Sequence, residues 1–237
     1  MNLIPRYASE RGKAEHGWLH ARFTFSFADY YDPDWCGFHS LVVMNNDIIE
    51  PGNGFPTHPH QDAEIFTYVI SGELEHQDSM GNGSIIRPGN LQYMSAGSGV
   101  THSEFNPSKE QATELYQIWI LPKNSGGKPI YSEKILSEST PENGMTLLFS
   151  GNGENGSSII RQDAQFWLGQ GRKDDSLTIT PDSFYPHAWI QVVSGAIETR
   201  SERLKKGDGL AIENLDQPIL LTLNKSSTLF IFRLPPT

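Results

Sequence analysis

The chain has a single cysteine, a shortage of basic residues and no long apolar run. Cys36 alone excludes an internal disulfide framework and a cysteine zinc knuckle. It lies in Asp34-Trp35-Cys36-Gly37-Phe38, among bulky neighbours, and is expected to be a small buried hydrophobe rather than a catalytic thiol. Lysine and arginine total 18 against 28 aspartates and glutamates, a formal charge of −10 at pH 7. Affinity for nucleic acid comes chiefly from basic side chains neutralising phosphates, so no nucleic-acid partner is expected. No apolar stretch approaches the roughly 18 residues that cross a bilayer. Met1-Asn2-Leu3-Ile4-Pro5-Arg6-Tyr7 has no signal-peptide core. No membrane partner is expected, and the expected location is cytoplasmic.

Helical periodicity is missing as well. The 237 residues are enough for two ordinary domains, and 22 glycines and 15 prolines with 11% aromatics point to short strands and many turns. Arg22-Phe23-Thr24-Phe25-Ser26-Phe27 would put Phe23, Phe25 and Phe27 on one face of a strand. Ile65 to Ile70, Glu73 to Ser79, Leu91 to Met94 and Leu115 to Ile120 follow as strands between glycine-rich turns, the pattern of a barrel or sandwich. Lys123 to Pro141 is polar and rich in Gly, Ser and Pro, an expected inter-domain connection. Beyond it the first half is echoed. Val192-Val193-Ser194-Gly195-Ala196-Ile197 matches Val69-Ile70-Ser71-Gly72-Glu73-Leu74, and Lys206-Gly207-Asp208-Gly209-Leu210 matches Pro88-Gly89-Asn90-Leu91-Gln92. Two related barrels follow from this duplication, over 1–122 and 142–237 with the connection at 123–141. Gly151 to Gly156 spells GxGxxG, but β-branched Ile159-Ile160 behind it opens no helix to hold a pyrophosphate, so a loop is expected.

Two short clusters carry the chemistry. His58 and His60 are two apart and share one face of a strand, and His102 and Glu104 repeat the arrangement. Two such pairs on facing strands can give one metal four ligands, and imidazole with carboxylate suits Fe, Mn, Ni, Zn or Cu. An octahedral ion would keep two positions open. Glu64 has the strand parity of His60, so the residues alone leave open whether Glu64 or Glu104 is the carboxylate ligand. His16, His20 and His39 are scattered and are taken as ordinary surface or core residues. His76, beside Glu75 and Asp78, is expected at the surface or behind the ligands.

Gly52, His58-Pro59-His60, Glu64 and Gly72 resemble the first cupin motif, and Gly97-Ser98-Gly99-Val100-Thr101-His102-Ser103-Glu104-Phe105-Asn106 resembles the second. His16-Gly17-Trp18, Phe25-Ser26-Phe27, Phe55-Pro56-Thr57-His58-Pro59-His60, Tyr93 to Gly99 and Tyr116-Gln117-Ile118-Trp119 resemble the pirin family. His76-Gln77-Asp78-Ser79-Met80-Gly81 and Trp189-Ile190-Gln191-Val192-Val193 are most similar to its bacterial, quercetinase-like branch. The resemblance implies an all-β bicupin, two face-to-face jelly-roll-like barrels with metal in the first only, and His58, His60, His102 and Glu104 as ligands.

In the second barrel, aligning Gly195 on Gly72 sets Pro181, Ser183 and His187 against His58, His60 and Glu64. Aligning Gly207 on Gly89 sets Leu220 and Thr222 against His102 and Glu104, so that barrel is expected to lack metal ligands.

The function implied is a dioxygenase, dependent on one divalent transition metal, Fe(II) first, with Mn, Ni, Cu or Zn as alternatives. It would open the ring of a planar aromatic flavonol such as quercetin with dioxygen, Glu104 acting as general base. The alternative is a pirin-like metal-binding regulator working through a protein partner. A zinc sugar-phosphate isomerase is set aside, because Arg87 is the sole Lys or Arg from Pro51 to Pro107 and a phosphate would need more.

Overall fold

The computed structural model describes residues 1–136 and 144–236, and they form mainly antiparallel β-sheet. Among the described residues no helix is long and apolar enough to cross a membrane. The chain opens with strand β1 (Asn2–Arg6) and divides into two compact units, Gly12–Ser139 and Thr140–Thr237, the latter joined by Met1–Arg11.

In the unit Gly12–Ser139 the large sheet holds β2 (Gly12–Glu15), β3 (Leu19–Phe23), β4 (Leu41–Ile49), β6 (Glu64–Ser71), β9 (Asn90–Ser95), β11 (Thr113–Ile120) and β12 (Ile130–Ile135). Their order is β12-β9-β6-β11-β4-β3-β2. The small sheet holds β5 (Gly54–His60), β7 (Leu74–Asp78), β8 (Gly83–Ile86) and β10 (Val100–Phe105), in the order β5-β10-β7-β8. Strand alternation decides what faces in: Leu19, Ala21 and Phe23 of β3 are buried, and so are Val100, His102 and Glu104 of β10.

The other unit repeats the plan. Its large sheet joins β13 (Met145–Ser150), β14 (Ser158–Ile159), β15 (Gln165–Gly171), β17 (His187–Ser194), β20 (Gly209–Glu213) and β22 (Ser227–Leu234) to β1, in the order β1-β20-β17-β22-β15-β13-β14. Its small sheet runs β16 (Ser176–Ile179), β21 (Ile219–Leu223), β18 (Ala196–Glu198), β19 (Arg203–Lys205). Position for position, β6 answers to β17, β9 to β20, β5 to β16 and β10 to β21.

The duplicated glycines have one physical cause. Gly72 and Gly195 sit at φ +78° and +84°, where a side chain is strained, and each is pressed onto a neighbouring strand. A Cβ on Gly72 would lie 2.8 Å from the Ala112 carbonyl oxygen and 2.9 Å from Thr113 Cα; on Gly195, 2.4 Å from the Ser226 carbonyl oxygen. In both places a hydroxyl from the next strand stitches the turn, Thr113 Oγ1 accepting from the Glu73 amide at 3.2 Å and Ser227 Oγ from the Ala196 amide at 3.1 Å.

Several expectations are corrected. The first eleven residues belong with the C-terminal unit, because β1 pairs with β20 from Asn2↔Glu213 to Arg6↔Gly209. The expected connection from 123 to 141 contains β12, paired with β9 and so part of the first unit's sheet; its last residues, 137–141, lie outside the described residues. The aromatic strand stops at Phe23, and Phe27 instead bridges to Tyr30. Cys36 is exposed, since it follows the turn closed by Trp35 N–H on the Asp32 carbonyl. On β21 the buried positions are Ile219, Leu221 and Leu223, one out of step with Leu220 and Thr222, and the inward residues of β16 are Leu177 and Ile179, while Pro181 and Ser183 lie exposed beyond it. The connections differ in length between the halves: 61–63 between β5 and β6 against 180–186 between β16 and β17, and 96–99 between β9 and β10 against 214–218 between β20 and β21. Gly151 to Gly156 forms a loop with one short 3-10 turn, as expected.

In urea unfolding, Gly195→Ala is expected to cost about 3 kcal/mol or more, combining left-handed strain with a backbone clash. Gly89→Ala, at φ +87° with open space around the new methyl, should cost about 1–2 kcal/mol. Equal costs would show that the close approach at Gly195 is not what demands glycine there.

Candidate metal centre

The small sheet of the first unit brings the histidines together. β10 lies between β5 and β7, and its pairing with β5 sets His102 opposite His58 and Val100 opposite His60. Beyond His102 the register slips, so that Glu104 faces Phe55. The extra residue is on β5, near Pro56 and Thr57, a bulge on an edge strand, where a proline without an N–H is tolerated. Gly54 lets β5 close onto β10: a Cβ there would lie 2.2 Å from the Glu104 carbonyl oxygen.

The three imidazoles form one cluster. Ring centroids are 4.5 Å apart for His58 and His102, and 4.8 Å for both His58–His60 and His60–His102. One ring nitrogen from each lies within 4.8 Å of the others. His58 Nδ1 is 2.8 Å from the Pro56 carbonyl oxygen, which can only accept, so Nδ1 carries a hydrogen and the tautomer free to ligate is the one with its lone pair on Nε2. His102 is buried, and its Nε2 has no hydrogen-bond partner. Burial, then the charges of His102 and His58, pushes the His60 imidazole down to about 4. Burial, then His58 and His76, pushes His102 down to about 3. Both rings are therefore neutral at pH 7, the form that ligates a metal. A buried bare nitrogen on His102 beside the neutral His60 imidazole fits a transition-metal ion.

The two carboxylates part company here. Glu104 is buried and lines the same cavity, of about 380 Å³, as His58 and His60. Gln117 Nε2 donates to both of its oxygens at 2.8 Å, and Thr67 Oγ1 donates at 3.3 Å. Glu64 lies on the large sheet, where Tyr93 OH and Ser95 Oγ donate to its carboxylate. Phe27, Phe55 and Trp119 wall the cavity, with Trp119 edge-on to His60 at 4.8 Å. Asn45 also lines it; the residue is buried and its Oδ1 has no hydrogen-bond partner.

Of the remaining histidines, His20 pairs with Glu15 at the surface, and His187 is buried in the C-terminal unit and pairs with Glu213. Gln117, Thr67 and Asn45 were not singled out from the sequence. The available signal was parity: Gln117 shares a strand face with Trp119 in an otherwise apolar run.

Two similar units with glycine-marked turns, one presenting inward histidines, define a two-barrel cupin. A profile for pirin matches residues 6–120, and one for a quercetinase C-terminal cupin domain matches residues 147–233. The chain belongs to the pirin family. It is 43% identical to the quercetin 2,3-dioxygenase of Escherichia coli K12 over 231 residues, 98% of each chain. It is 39% identical to a pirin-like protein of Caulobacter vibrioides over 204 residues, 86% of this chain and 87% of the relative. Its fold is similar to the crystal structure of the bacterial pirin YhhW from Escherichia coli in complex with nickel(II), with a TM-score of 0.93, 42% identity and all of both chains covered.

Gln117→Leu strips the Glu104 carboxylate of its two shortest hydrogen bonds in a buried setting. The metal-free variant is expected to lose about 1–3 kcal/mol in denaturant unfolding. No loss would mean that Gln117 does not hold that carboxylate.

Proposed function

We propose that this protein is a metal-dependent dioxygenase that opens the ring of a flavonol such as quercetin and incorporates dioxygen. The observation that carries this is the cluster of three imidazoles, with bare ring nitrogens, facing an aromatic-walled cavity that also holds Glu104. In this reading His58, His60, His102 and Glu104 hold one divalent ion, Fe(II) first among those that such donors accept. When bound, the ion supplies Lewis acidity toward an enolised 3-hydroxy-4-ketone and a redox-active centre beside dioxygen.

The protein's own groups do the rest. Glu104 takes the proton of the substrate 3-hydroxyl at a carboxylate oxygen, and Gln117 and Thr67 keep that carboxylate from swinging away. Phe27, Phe55 and Trp119 exclude water and receive the flat ring system. Asn45 Oδ1, buried without a partner, accepts a hydrogen bond from a phenolic hydroxyl, and an unsubstituted ring would leave it unpaired. The C-terminal barrel, with Leu177, Ile179, Ile219, Leu221 and Leu223 in its core, is proposed to be structural and free of metal. The quercetin 2,3-dioxygenase of Escherichia coli supports the reading by its name, and the pirin YhhW supports a metal by the nickel(II) it holds.

The test is oxygen uptake by iron-reconstituted protein mixed with quercetin, against metal-stripped protein. Uptake with loss of the flavonol absorbance is expected only with metal. His60→Ala and Glu104→Ala should each lose metal or turnover while staying folded, and His187→Ala should keep both. Stoichiometric metal with no uptake under iron, manganese, nickel or copper would move the assignment to a metal-binding regulator of a protein partner.

A further inference from the structure

His76 and Asp78 take no part in the chemistry above, yet both side chains are wholly buried. The pairing of β7 with β10 sets Asp78 opposite His102 and His76 opposite Glu104. All four therefore share one face of the small sheet. His76 Nε2 is 3.3 Å from Asp78 Oδ2, and His76 Nδ1 is 3.4 Å from His102 Nδ1. These are long hydrogen bonds between buried side chains, where a low local dielectric strengthens them.

Both relay residues are themselves held. Asp78 Oδ1 accepts from the Met80 and Asn82 amides at 2.9 and 3.0 Å, and Oδ2 accepts from Asn82 Nδ2 at 2.8 Å. The His76 ring stacks on Tyr131, with centroids 5.0 Å apart and planes at 26°. The Tyr131 hydroxyl is fixed by Ser84 at 2.6 Å and Glu133 at 2.7 Å.

The hydrogens can be placed in sequence. The Asp78 carboxylate only accepts, so His76 carries its hydrogen on Nε2. A His76 ring with its single hydrogen on Nε2 turns a bare Nδ1 toward His102. His102 Nδ1 must carry a hydrogen, or two lone pairs would meet. His102 Nε2, buried and without a partner, is thereby left bare. The opposite tautomer would point an N–H at the cluster and could not ligate.

We infer that His76, fixed by Asp78, is a positioning residue that holds His102 in its Nδ1–H form and so presents Nε2 to the metal. The inference rests on the proposed metal site but has readouts of its own. In metal-free protein, nitrogen-15 NMR should show His102 as the Nδ1–H tautomer. In Asp78→Asn the amide keeps an oxygen for the backbone N–H groups and turns an NH₂ toward His76. The relay then reverses, and His102 should become the Nε2–H tautomer.

Nickel(II) affinity by calorimetry should fall about 10- to 100-fold in Asp78→Asn, with the circular dichroism spectrum retained. His76→Leu should weaken nickel comparably; if it does not fold, the wild type and Asp78→Asn decide. An Nε2–H or mixed tautomer in the wild type, or wild-type nickel affinity in Asp78→Asn, would overturn the relay. The two readings fail separately. Undiminished nickel binding by His102→Ala sinks the metal site, whereas its loss there with Asp78→Asn unaffected sinks only the relay.

Discussion

The register between β5 and β10 governs this molecule. His102 opposite His58 and Val100 opposite His60 put three imidazoles on one face of one small sheet. A slip of one residue would turn His58 and His60 to the other face and leave His102 alone. What holds the register is local. Gly54 admits the Glu104 backbone at a distance no side chain would allow. The bulge near Pro56 absorbs the odd residue, and the Pro56 carbonyl accepts the His58 Nδ1 hydrogen. One irregularity therefore shifts the pairing by a residue, suits a proline and puts a hydrogen on His58 Nδ1.

Burying such a cluster costs stability unless each polar group is answered. Glu104 is answered by Gln117 and Thr67, and Glu64 by Tyr93 and Ser95. The histidines are answered differently. His60 and His102 stay neutral, which avoids the larger penalty of buried charge, and their unused lone pairs are what a metal requires. An aliphatic layer of Leu19, Ile49, Val69, Leu74, Ile86 and Leu115 elsewhere in the unit supplies ordinary hydrophobic burial.

Local rules made much of this legible. The i, i+2 spacing of His58/His60 and His102/Glu104 is a strand property, and the glycines at 72 and 195 mark turns whose φ and crowding demand them. What escaped depended on distant pairing. Asn2-Leu3-Ile4-Pro5-Arg6 has no local sign that it will bond to a strand some two hundred residues away. Glu64 and Glu104 share strand parity with the histidines, and only the sheet to which each strand belongs separates them. His76-Gln77-Asp78 repeats the same spacing as the other two pairs, yet its burial came from its place beside β10, which spacing alone does not give.

The duplication offers an internal comparison of what the chemistry displaces. On β10 the buried positions are Val100, His102 and Glu104; on the answering strand β21 they are Ile219, Leu221 and Leu223. On β5 the histidines are half-buried at the cavity edge, whereas β16 buries Leu177 and Ile179. The strand order is the same in both units, so the backbone plan does not require polar residues at these places. An aliphatic side chain fully buried there would contribute about 1.5–3 kcal/mol, and a neutral histidine or hydrogen-bonded glutamate contributes less. Polar residues at several such positions reduce the first unit's packing, and none is needed to make the fold. The proposed metal site accounts for their presence, and the answering strands of the other barrel fill the same plan with aliphatic side chains.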